Sequence, residues 1–61
     1  MIKTSDILRP TPESSYALQV FAVRGDMVDV YDATSGSVNP KCLSRYDGWV
    51  IERNGKVVGT V

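Results

Sequence analysis

The chain has 61 residues, of which 43% are apolar and 23% charged, a globular composition that argues against disorder. Seven basic and seven acidic residues cancel to a formal net charge of zero, so the composition offers no broad cationic surface for a nucleic-acid backbone. At this length a domain buries only about 60% of the surface its unfolded chain exposes, and a homodimer is one route to extra stability.

Cys42 is the single cysteine, which excludes an internal disulfide framework and fits a reducing compartment. No apolar run is long enough to span a bilayer, and Met1-Ile2-Lys3-Thr4-Ser5-Asp6 is too polar to open a signal peptide. The expected location is therefore cytoplasmic. One domain is expected over residues 1–61, with residues 1–6 as a flexible arm.

Ile7-Leu8-Arg9 reads as a short strand; a helix starting at Ser5 or Asp6 is the competing reading, and Pro10 would stop it at once. Residues 9–15 form a loop in which Pro10 and Pro12 fix φ and the hydroxyls compete for backbone hydrogen bonds. Thr11-Pro12 can open a single helical or 3₁₀ turn there.

Residues 17–23 and 27–32 make the central hairpin around Gly25-Asp26, because their β-branched and aromatic residues suit a pleated surface. That turn sets Arg24 opposite Met27, Val23 opposite Val28 and Phe21 opposite Val30. Phe21, Val23, Val28 and Val30 are the expected core. Leu18, Val20 and Ala22 then point the other way beside Tyr31, as an apolar outer face available for self-association.

Residues 33–37 are small and polar, which suits a turn. Residues 38–42 extend, and Pro40, lacking a donor, places them at an edge or bulge. Leu43 drops into the core, and residues 44–48 form an irregular or 3₁₀ connector in which Gly48 takes an unusual backbone angle. Residues 49–53 and 56–61 flank Asn54-Gly55, the preferred pair of a type I′ turn. Its register sets Arg53 by Lys56, Glu52 by Val57, Ile51 by Val58 and Trp49 by Thr60.

Five to six short antiparallel strands with hardly any helix define an all-β chain, and the spacing fits a small SH3-like barrel, whose closure removes exposed edges. The order of Ile7-Leu8-Arg9, a Pro/Ser loop, Leu18-Gln19-Val20-Phe21-Ala22-Val23, Gly25-Asp26-Met27-Val28-Asp29-Val30, Gly36 and Leu43-Ser44-Arg45-Tyr46 resembles small SH3-like proteins of bacteriophages and prophages. The resemblance covers roughly residues 5–53 and rests on pattern and turns, with no diagnostic motif. It implies an accessory protein that binds a protein of the bacterial host, and it transfers no functional residue.

Chemistry has little footing in the sequence. No histidine is present, so the usual base for a serine or cysteine nucleophile is missing. Cys42 beside Leu43 reads as a buried small hydrophobe; Lys41 and Arg45 would activate it only by converging on an exposed sulfur. Asp29 and Asp32 are odd-spaced on a strand and diverge, and with Asp26 they do not match a calcium loop. The scattered glycines form neither a phosphate loop nor a dinucleotide fingerprint, and the hairpin accounts for Arg24-Gly25-Asp26 without an adhesion role. No enzyme activity, cofactor or metal is expected.

Aromatic side chains carry the functional expectation, since Tyr16, Tyr31, Tyr46 and Trp49 are amphipathic rings suited to recognition. Tyr31, Arg45, Tyr46 and Trp49 are the candidate protein-binding residues, with rings as anchors and the guanidinium as a fixed hydrogen-bonding fork. The competing use of Trp49 and the tyrosines is to complete a small core. The alternative function is binding of single-stranded nucleic acid, with Lys41, Arg45, Arg53 and Lys56 flanking stacked rings.

Overall fold

Two tight turns and a run of β-branched residues frame the fold in a computed structural model that describes residues 2–61. The strands are β1 (Ile7–Arg9), β2 (Leu18–Arg24), β3 (Met27–Asp32), β4 (Ser37–Cys42), β5 (Val50–Arg53) and β6 (Lys56–Thr60), with one 3₁₀ turn at Leu43–Tyr46. All neighbours pair antiparallel in the order β4-β3-β2-β1-β5-β6. The three-residue β1 thus lies at the centre of the sheet and joins the β2–β3–β4 meander to the β5–β6 hairpin.

The sheet is not closed, which corrects the expected SH3-like barrel. β4 and β6 are its two free edges. On β4 the residues paired with Val28, Val30 and Asp32 are Lys41, Asn39 and Ser37, so the side of the strand that a barrel would bury is polar. Pro40 also removes a donor from that edge. β6 is exposed along its whole length, with no strand among the described residues covering it.

A β-bulge changes which face of β2 is buried. Arg24 pairs with Met27 and Val23 with Val28, as the turn dictates, but Val20 pairs with Val30, leaving Phe21 as the extra residue. One inserted residue reverses the alternation, so Leu18 and Val20 turn inward. The core is built from Leu8, Leu18, Val20, Val28, Val30, Tyr46 and Ile51, with Ile2 beneath them and Leu43 and Trp49 packed against it. Phe21 is 48% exposed and stacks on Tyr31 with ring centroids 5.7 Å apart. The expected core therefore keeps Val28 and Val30 and loses Phe21, while Val23 lies at the exposed tip of the hairpin. The proposed outer face of Leu18 and Val20 does not exist, because both are buried.

The second hairpin behaves similarly. Asn54 (φ 54°) and Gly55 (φ 77°) both take the left-handed conformation of a type I′ turn. Arg53 pairs with Lys56 and Glu52 with Val57, but a bulge then sets Ile51 against Gly59 and Val50 against Thr60. The shift moves Trp49 from Thr60 to Val61, whose N–H donates to the Trp49 carbonyl at 2.8 Å, while the Trp49 N–H turns away and donates to the Tyr46 carbonyl at 2.9 Å.

In the segment expected as an arm, Met1 lies outside the described residues, and residues 2–6 pack against the sheet. Ser5 N–H donates to the Val20 carbonyl at 2.7 Å, and Val20 N–H donates to the Asp6 carbonyl at 2.8 Å. Asp6 is only 1% exposed. Its carboxylate accepts from Arg53 Nε at 2.8 Å, Arg53 Nη2 at 2.7 Å and the Lys3 amide at 2.7 Å. The Arg53 hydrogen bonds, helped by the Lys3 amide, hold the Asp6 carboxyl below its ordinary range although burial pulls the other way. This pair, its carboxylate buried and its guanidinium partly exposed, clasps the start of the chain to β5.

Candidate functional site

The polar side of β4 faces a groove of about 370 Å³ that runs between β3, β4 and Trp49. Leu18, Val30 and Tyr46 are its buried floor, Tyr16 and Trp49 its aromatic walls, and Asp32, Asn39, Lys41 and Arg45 its polar rim.

Local structure explains each position. The 3₁₀ turn Leu43–Tyr46 swings Tyr46 inward to 4% exposure and leaves Arg45 outside. Gly48, at φ 82°, then redirects the chain so that Trp49 crosses Tyr46 edge-on, with centroids 5.0 Å apart and planes at 69°. Tyr16 meets the other side of Trp49 at 6.2 Å and 77°. The loop before it is held by Arg9, which pairs with Glu52 at 2.7 Å and donates to the Ser14 carbonyl at 2.9 Å. Ser14 Oγ in turn accepts from the Tyr16 N–H at 3.1 Å. The Tyr16 hydroxyl donates to Asp32 Oδ2 at 3.3 Å, and Asp32 Oδ1 accepts from the Thr34 N–H at 2.9 Å. Burial, and then the adjacent Asp32 carboxylate, push the Tyr16 phenol above its usual pKa; burial does the same for Tyr46, with Arg45 opposing.

Of the four expected protein-binding residues, Arg45, Tyr46 and Trp49 come together here. Tyr31 does not line the groove but stacks on Phe21. The expected basic set is divided: Lys41 and Arg45 line the groove, Arg53 is engaged by Asp6, and Lys56 is an exposed residue at the start of β6. Tyr16 was among the rings suited to recognition, whereas Asp32 and Asn39 were not among the expected binding residues. For Asn39 the signal was available, since it is two residues from Lys41 and shares its side of the strand.

Cys42 is exposed, not buried as its apolar neighbour suggested, with its Sγ 3.8 Å from the Met27 Sδ. The expected divergence of the aspartates is visible in their partners: Asp29 pairs with Arg24 at 2.6 Å, whereas Asp32 meets Tyr16. Among the described residues no group of three or more histidine, cysteine or acidic side chains could hold a metal ion, and no helix is long and apolar enough to cross a membrane. Compared with known proteins, the chain matches no family model, no curated protein and no solved structure.

Proposed function

We propose that the protein is a non-enzymatic interaction module that receives an extended segment of another protein in the groove beside β4. The observation that supports this reading is the edge-to-face series Tyr16–Trp49–Tyr46, which sets an exposed ring on a rigid, buried base. Rings fixed in this way lose little conformational entropy on binding, and residues of this kind dominate the energetics of protein interfaces. The groove volume suits one or a few side chains of a partner rather than a large cofactor.

Affinity capture from bacterial lysate with the tagged chain tests this, run with and without nuclease and with Tyr16→Ala in parallel. Tyr16 is 43% exposed, so its truncation disturbs the core less than loss of Trp49 would. The expected result is a stoichiometric protein retained after nuclease and lost from the variant, which stays folded at the capture temperature with a melting temperature lowered by only the roughly 2–12 °C that loss of one edge-on ring contact of about 0.5–1.5 kcal/mol implies. Capture that ignores Tyr16→Ala, or that vanishes with nuclease, refutes the reading.

A further inference from the structure

We infer that the groove selects an acidic peptide, one whose carboxylates meet Lys41 and Arg45 while an apolar side chain between them settles on Trp49 and the floor. The inference rests on the groove being a protein-binding site and adds the chemistry of its occupant.

The charge balance inside the groove carries it. Asp32, the acidic residue of the rim, keeps its charge but turns both oxygens to neutral donors, the Tyr16 hydroxyl and the Thr34 amide, and pairs with neither cation of the groove. Lys41 and Arg45 have no hydrogen-bond or ion-pair partner among the described residues, in contrast to Arg9, Arg24 and Arg53. Two cations thus stand unpaired over an apolar floor in a chain whose overall charge is zero. A ligand gains most by supplying anions to these two cations, Arg45 exposed and Lys41 half-buried at the edge of the groove. The edge strand itself contributes less. Pro40 offers no N–H, so a backbone ladder along β4 is interrupted and specificity falls to side chains.

A nucleic-acid backbone fits this arrangement less well. Two phosphate contacts on a single strand imply a loss of only roughly sevenfold in affinity between about 50 and 200 mM salt, far below the response of proteins that hold a backbone through many cations.

Selection of a random-peptide display library on the intact chain tests the inference, followed by solution binding of the selected peptides, their glutamine-for-acid and lysine-for-acid counterparts, and an oligothymidylate. The expected outcome is enrichment of aspartate and glutamate, a loss of about tenfold in affinity for the Lys41→Glu, Arg45→Glu variant, and recovery with the lysine counterparts. Selected peptides that are neutral yet released by Tyr16→Ala would overturn the acidic preference and leave the interaction reading standing. Peptides indifferent to Tyr16→Ala would overturn both. An oligothymidylate that binds more tightly than any selected peptide would overturn the inference in favour of nucleic acid.

Discussion

Asp6→Asn keeps the shape of a nearly fully buried side chain and removes its charge, so it isolates what the clasp to Arg53 contributes. The carboxylate accepts two hydrogen bonds from the guanidinium and one from the Lys3 amide. Orphaning one partner of a fully buried ion pair costs about 3–5 kcal/mol. Here the Arg53 side chain is 32% exposed and can rehydrate, and asparagine still accepts one hydrogen bond, so the expected loss is about 2 kcal/mol. Against a total of about 3–9 kcal/mol for a chain of this size, that is a large fraction. Because the folded-state pKa of Asp6 is lowered, its contribution is fully present above the unfolded value of about 3.9 and disappears as pH falls through the lower folded value. Asparagine does not titrate. Urea denaturation of both proteins from neutral to strongly acidic pH should therefore show a gap that is widest at neutrality and narrows in acid. A gap below about 0.5 kcal/mol, or one that does not change with pH, would refute the electrostatic account.

The bulge on β2 makes a contrary pair of variants informative. Phe21→Ala should cost only about 0.5–1.5 kcal/mol, the worth of its stacking on Tyr31, whereas Leu18→Ala should cost about 2–5 kcal/mol through a core cavity. Equilibrium denaturation decides this, and a greater loss at Phe21 would mean the alternation runs unbroken from the turn. Gly55→Ala meets open space but forces a side chain to φ 77°, an expected cost of about 1–2 kcal/mol. A melting temperature lowered by roughly 4–8 °C per kcal/mol is the readout, and an unchanged value would contradict the left-handed turn.

What the sequence made legible was largely local. The limits of β1, both two-residue turns, the edge position of Pro40 and the 3₁₀ connector all follow from residues whose backbone preferences act within a few positions. The two bulges were not read: nothing in Val20-Phe21-Ala22 declares that one residue will go unopposed, while Gly59 within a strand is a mark of the second, and a single insertion exchanges the faces of everything beyond it. The closed barrel failed for a related reason. Short strands are compatible with closure, but the polar row Ser37, Asn39 and Lys41 acquires meaning only once it is known which side of β4 faces inward. In the groove, the proximity of Arg45, Tyr46 and Trp49 reflects their nearness in sequence. Tyr16 joins them across the fold through the loop that Arg9 secures, a contact that no spacing rule could supply.

The central place of β1 has a consequence for how the chain assembles. Its pairing with β2 and the β2–β3 and β5–β6 hairpins are local, whereas its pairing with β5 joins residues 43 apart, the separation of Arg9 and Glu52. By the length dependence of loop closure, joining ends that far apart costs about 2 kcal/mol more than closing a four-residue turn. The two halves can therefore acquire their turns independently, and the cooperative step is their meeting along three residues of β1. Leu8, with no exposed surface in the finished fold, records that meeting: it becomes fully enclosed only when both halves are present.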